Sequence, residues 1–195
     1  MVTNGSIAGT AILAFRGAIR TPDERVQIQF VCVGNAYRSR LAEALLNSYG
    51  LRGVRARSCG IRAVENLNGP VSWYALRLLK RNKLIPFMSP TWTQTTPDLL
   101  AGSDLVVFME PAIHAYCAAS FAFAGAAHEV WNVPDVGDPR YPEQQAALDD
   151  EPRIMAITEA TFARLQIEVA ALAERLSAGQ LGEASSRSAA ASRGS

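Results

Sequence analysis

Val26-Gln27-Ile28-Gln29-Phe30-Val31-Cys32-Val33-Gly34-Asn35-Ala36-Tyr37-Arg38-Ser39 runs directly into Arg40-Leu41-Ala42-Glu43-Ala44-Leu45-Leu46. An apolar run ends on a cysteine, a short loop containing glycine follows, and a helical pattern starts at Arg38. Strand, tight loop and helix in this order open a β-α-β unit. The order also has chemical meaning. A helix that begins where a loop ends offers its amides and the positive end of its dipole, which suits an anion the size of phosphate. The same field favours a thiolate at Cys32, a nucleophile at the mouth of the cradle. Arg38, six residues after Cys32, can close over the ring of amides and hold two phosphate oxygens bidentately, which Lys does less well. Ser39 brings a hydroxyl within reach of the sulfur. Val33, Gly34, Asn35, Ala36, Tyr37 and Ser39 are therefore the candidate phosphate-binding residues.

Outward from this stretch the pattern alternates. Val54 to Ser58 reads as a second strand, and Ser72 to Asn82 as a helix with Trp73, Leu76 and Leu79 on one side. Asp104 to Met109 and Glu129 to Val133 read as strands. Arg153 to Leu176 reads as a long amphipathic helix with Ile157, Ala160, Phe162, Leu165, Val169 and Leu172 as its buried stripe. Strands alternating with helices predict a three-layer α/β domain over residues 26–176: a central, mostly parallel sheet of about four strands with helices on both faces. Sites in such sheets lie outside the carboxyl ends of the strands, where the Cys32 loop falls.

With 195 residues, 49% of them hydrophobic, the chain can bury one sizeable core. Its 19 basic and 18 acidic residues balance, which argues against general affinity for nucleic acid or membrane. Three widely spaced cysteines make no disulfide framework, and a thiolate nucleophile needs a reducing compartment, so the expected location is cytoplasmic. The stretch Ile12-Leu13-Ala14-Phe15 is too short to span a bilayer, and Arg16 and Arg20 follow it instead of preceding it. Residues 1–25 thus read as an extension, and the Ser-, Ala- and Gly-rich residues 177–195 as a disordered tail. His114 and His128 have no partners at metal-ligand spacing, so neither a metal nor a cofactor is expected.

Together, Phe30-Val31-Cys32-Val33-Gly34-Asn35, Arg38-Ser39 and Ala42-Glu43-Ala44 resemble the active-site signature of the low-molecular-weight protein tyrosine phosphatases, which share their fold with one group of arsenate reductases. Arg57-Ser58-Cys59-Gly60 resembles that family's Ser-Ala-Gly strand, Asn68-Gly69-Pro70 its Gly-x-Pro, and Asp104-Leu105-Val106-Val107-Phe108-Met109-Glu110 its Asp-hydrophobic-Met-Asp strand. The resemblance implies hydrolysis of a phosphotyrosine protein or a small phosphoester through a phosphocysteine, with Ser58 supporting the loop through Asn35. It also implies an Asp-Pro general acid. Val133-Pro134-Asp135-Val136-Gly137-Asp138-Pro139-Arg140-Tyr141 offers two candidates. Asp138, followed by Pro139 and Tyr141 as in the family's Asp-Pro-x-Tyr, is preferred over Asp135 on that resemblance, and Pro139 would stiffen the loop that presents it. Tyr37 and Tyr141 are the expected aromatic rim.

Two departures lie within the signature. Tyr37 stands where many members carry a second cysteine, removing a disulfide partner for the nucleophile, and Arg40 replaces the usual proline. Both are expected near the mouth, one as a ring and the other as extra charge. Rival readings remain. A thioredoxin-coupled arsenate reductase needs two further cysteines after the strand at Asp104; Cys117 stands in one place, but Glu110 occupies the other. An arsenate reductase using a small thiol, or a phosphate-binding module without turnover, needs neither.

Overall fold

The computed structural model describes residues 26–65, 69–124, 126–136 and 150–179. Strand β1 is Val26–Cys32, β2 Val54–Gly60, β3 Leu105–Phe108 and β4 His128–Val130. They form one sheet in the order β2-β1-β3-β4, parallel at every pairing. β1 runs alongside β2 from Val26 opposite Val54 to Cys32 opposite Gly60, and alongside β3 from Ile28 opposite Leu105. Parallel neighbours require crossovers, and helices supply them. These are α1 (Arg38–Ser48), α2 (Trp73–Arg81), α3 (Pro97–Ala101) and α4 (Pro111–Phe121), and a further helix, α5 (Glu151–Ser177), follows β4.

The sheet centre is dry because its sequence is apolar on both faces: Phe30, Val31, Val106, Val107 and Phe108 have no exposed surface. Helices cover it on both sides. α5 begins where the Asp150 carboxylate accepts from the Arg153 amide at 3.1 Å, with Pro152 in its first turn. Thr96 caps α3 in the same manner, accepting from Leu99 at 3.3 Å ahead of Pro97.

Two buried faces differ from the sequence expectation. On α2 they are Ala75, Leu78 and Leu79, with Leu76 half-buried and Trp73 turned outward beside Arg77. On α5 the stripe runs through Ile154, Thr158, Thr161, Phe162, Leu165, Val169 and Leu172, leaving Ala160 exposed and Ile157 at the edge. Two threonines enter because α5 meets the polar start of α1, and Thr158 satisfies its hydroxyl by donating to the Ile154 carbonyl at 2.7 Å. α4, for which the sequence shows no period, is apolar around much of its circumference and stops at Ala122 in the left-handed region, φ 51°. Among the described residues no helix is long and apolar enough to cross a membrane. The expected extension 1–25, the tail from residue 180 onward, and both Asp138 and Tyr141 lie outside the described residues.

Candidate active site

Cys32 is the last residue of β1, and the loop between it and α1 folds back over its sulfur. The Asn35 amide donates to Cys32 Sγ at 3.2 Å, and Ser39 Oγ lies 2.9 Å from the same sulfur. The carbonyls of the loop are tied away from the sulfur. Cys32 O accepts from the Ile61 amide at 3.1 Å, Val33 O from Arg62 at 2.9 Å and Ala36 O from Ser72 at 2.8 Å. In a trans peptide the N–H points opposite to its C=O, so fixing these carbonyls outward turns the following amides inward.

A non-glycine residue holds the turn in the left-handed region: Asn35, φ 51°. Its side chain stabilises that conformation. Nδ2 donates to Ser39 Oγ at 3.0 Å and to Ser58 Oγ at 2.9 Å, while Oδ1 accepts from the Thr93 amide at 2.7 Å. Beneath the loop, Gly60 leaves no room for a side chain; a Cβ there would lie 2.5 Å from Val33 O and 2.6 Å from the Asn35 nitrogen.

Arg38, the first residue of α1, is wholly buried. Nη1 donates to Val133 O at 2.7 Å, and Nη2 contacts Glu110 Oε1 at 3.0 Å and Asp135 Oδ2 at 2.7 Å. Its Nε, in contrast, is a buried donor with no partner among the described residues. A buried guanidinium edge of this kind beside a ring of amides calls for an oxyanion. Burial opposes the charge on Arg38, but Asp135, the Cys32 sulfur and Glu110 outweigh it and hold the guanidinium firmly protonated.

Of the two described carboxylates bonded to Arg38, Asp135 is the more exposed. Its side chain keeps 33% exposure at the mouth. Burial of its carboxyl pushes the pKa upward; Arg38 pulls it down, Glu110 pushes it up again, and the net shift is upward. Asp138, preferred from sequence, is not among the described residues.

Tyr37 does not line the mouth. It is only 4% exposed, its ring meets Tyr74 edge-on at 5.0 Å, and its hydroxyl faces Thr158 and Thr161. The cause is the packing of α1 on α5, which draws the residue ahead of α1 inward, and burial there raises the Tyr37 pKa. Tyr74, half-buried and within electrostatic reach of Asp135, Cys32 and Arg38, stands nearer the rim position. Arg40 is likewise not at the surface; it is wholly buried under the loop.

Sequence reasoning also passed over Glu110 as a site residue, although its place after Met109 at the end of β3 was a usable signal. Cys117 faces the core with its pKa pushed up to about 11 by burial, and Glu110 is engaged by Arg38, so neither position relays a disulfide outward. Among the described residues no three His, Cys, Asp or Glu side chains form a metal-holding group.

Residues 27–180 match the family described as low molecular weight phosphotyrosine protein phosphatase. No curated protein matches the chain. Among solved structures, a low molecular weight protein tyrosine phosphatase from Bacillus subtilis is 27% identical, with a TM-score of 0.57 over 77% of this chain and 96% of that one. A YwlE arginine phosphatase, in a cysteine-to-serine form with a phosphorylated active-site serine, is 26% identical, with a TM-score of 0.59 over 77% of this chain and 95% of its own. The tyrosine phosphatase Wzb from Escherichia coli K30 with sulphate is 19% identical and shares the fold, with a TM-score of 0.60 over 78% and 99%.

Proposed function

The chain belongs to the low-molecular-weight phosphotyrosine protein phosphatase family and is a cysteine-dependent phosphatase, and from this premise we propose that it hydrolyses phosphotyrosine through a phosphocysteine on Cys32. One observation carries the reading: a sulfur within hydrogen-bond reach of Ser39 and the Asn35 amide lies within electrostatic reach of Arg38, whose buried Nε has no partner among the described residues. Cys32 Sγ attacks phosphorus in line as the bond from phosphorus to the phenolic oxygen breaks. The loop amides and Arg38 hold the three remaining oxygens. Water then attacks the phosphocysteine, giving its proton to the carboxylate that the acid has become; the P–S bond breaks, phosphate leaves and the thiolate returns. A related phosphatase whose active-site serine, standing in place of a cysteine, is phosphorylated supports transfer of the phosphoryl group to this position.

The leaving phenolate needs a proton, and the loop after β4 supplies it. Asp138 has the sequence context; Asp135 has the geometry. A substrate phosphate competes with the Asp135 carboxylate for Nη2 of Arg38, and the displaced carboxyl then stands beside an anion, which favours its protonated form further. Asp135 is accordingly our proposed donor.

Phosphotyrosine suits the depth of Cys32, which is 3% exposed, because a ring carries its phosphate farther from the backbone than a serine side chain does. Phosphoarginine is the second substrate to assay, since a relative 26% identical is an arginine phosphatase and a phosphoguanidine is equally long. A thiolate nucleophile requires a reducing compartment, which supports a cytoplasmic location for the protein.

The test is hydrolysis without metal of phenyl phosphate, a phosphotyrosine peptide and phosphoarginine by the wild type, Cys32→Ser, Asp135→Asn and Asp138→Asn. Cys32→Ser is expected to be inactive. Asp135→Asn is expected to lose about 10²-fold in kcat, the usual scale of a general acid. Reduced wild-type protein that turns over none of these overturns the proposal, and a large loss confined to Asp138→Asn moves the donor to that residue.

A further inference from the structure

Arg40 is wholly buried, yet nothing in the reaction uses it. Its partners show where its effect goes. Nε donates to Pro70 O at 3.1 Å, Nη2 donates to Ser89 O at 2.8 Å, and Nη1 lies 3.5 Å from Glu43 Oε2 one turn along α1. Each of those partners leads to the cradle through a neighbouring residue or side chain. Pro70 lies two residues before Ser72, whose amide holds Ala36 O. Ser89 lies four residues before Thr93, whose amide holds Asn35 Oδ1. Glu43 Oε2 accepts from Ser58 Oγ at 2.5 Å, and Ser58 in turn accepts from Asn35 Nδ2. The Ser89 amide also donates to Glu43 Oε1 at 2.9 Å, closing the network.

Resting on the reading of this loop as a phosphate cradle, we propose that Arg40 is a positioning residue that fixes the shape of the anion site by tying Pro70, Ser89 and Glu43 together beneath it. The geometry asks for arginine. A planar fork can serve two carbonyls from different segments and a carboxylate at once, whereas lysine, with a single nitrogen, cannot span all three. Asn35 needs such support because its backbone is left-handed without being glycine, a conformation that persists only where neighbours enforce it. Burial works against the charge on Arg40, and Glu43 and the Cys32 sulfur partly restore it, so the cation is held in place by the groups it organises.

The experiment measures the affinity of inorganic phosphate by its protection of Cys32 against iodoacetate, and kcat in parallel, for the wild type, Arg40→Lys and Arg40→Met. Cys59 and Cys117 do not interfere, because burial pushes their pKa values up to about 12 and about 11. Leu172→Ala on α5, buried and far along the helix from the loop, controls for lost stability. Sub-ångström loosening of the cradle is expected to weaken phosphate binding and lower kcat by about tenfold each in both Arg40 variants. Leu172→Ala is expected to leave both within twofold of the wild type. If Arg40→Met does not fold, Arg40→Met with Glu43→Gln, which leaves no unpaired buried charge, replaces it. Arg40 variants that fold and keep the wild-type phosphate affinity and kcat, or that lose no more than Leu172→Ala, overturn the proposal. Phosphate protection needs no turnover, so failure to hydrolyse phosphotyrosine would sink the substrate assignment while leaving this measurement readable.

Discussion

Replacing Gly60 by alanine adds one carbon to a place the backbone already fills. The new Cβ would stand 2.5 Å from Val33 O, 2.6 Å from the Asn35 nitrogen and 2.9 Å from Gly34 C, where ordinary van der Waals contact begins at 3.4 Å. All three neighbours are main-chain atoms of the phosphate loop, so no side chain can swing away. Relief requires the loop and β2 to part by up to about 0.9 Å at the closest contact. Overpacking on this scale costs about 1–3 kcal/mol, which for a domain of this size lowers Tm by about 2–12 °C. The larger consequence is catalytic. The displaced atoms include the Asn35 amide that contacts Cys32 Sγ, and misplacing reacting groups by about 1 Å lowers rates by about 10²-fold. Purified Gly60→Ala is therefore expected to fold, melt earlier and show kcat/KM for p-nitrophenyl phosphate down by about two orders of magnitude. Gly102→Ala, whose Cβ would approach only Asp98 O at 3.1 Å after α3, is the comparison and is expected to keep its activity. Gly60→Ala with kcat/KM within threefold of the wild type would refute the claim that close packing of β2 under the loop sets the geometry.

Arg38→Lys keeps the charge but loses the fork that now serves Val133, Glu110, Asp135 and the open Nε edge; kcat/KM is expected to fall by about 10²–10³-fold, read by steady-state kinetics. Mass spectrometry after iodoacetamide treatment of the folded protein at pH 8 should find one labelled cysteine, Cys32, since Cys59 and Cys117 are held as thiols with pKa values of about 12 and about 11; labelling of all three before unfolding would contradict their burial. His114 stacks on His128 at 4.6 Å, and burial followed by the His128 charge lowers the His114 pKa below its usual 6.5. Its neutral form is thus favoured on folding, so this contribution to stability is complete above pH 6.5 and is lost as pH falls through the depressed value. Tm measured from pH 7.5 to 5 should decline less in His114→Phe than in the wild type.

Apolar runs located all four strands, and a helical repeat located α1, α2 and α5, because each of those helices spans enough residues for the repeat to show. α4 escaped because its apolar residues are not gathered on one stripe, and α3 because five residues are too few. The α5 stripe was misplaced at its start since hydropathy does not favour Thr158 and Thr161; only the neighbouring loop makes threonine suitable there.

The sequence by itself determined what depends on nearby residues. A strand ending on Cys32, five residues, then Arg38-Ser39 at the head of a helix fixes a thiol, a guanidinium and a hydroxyl around one turn of chain, because the loop is too short to separate them. Tertiary structure decided everything that depends on which distant segment arrives. Arg38 is held by residues 72, 95 and 97 positions away. Tyr37 and Arg40 are near the mouth in sequence but buried in space, because the residues flanking the start of α1 point toward α5 and the segments at Pro70 and Ser89. No local pattern encodes those meetings; the parallel sheet does, by bringing the carboxyl ends of β1, β3 and β4 to one edge, where charges far apart in the chain share one guanidinium.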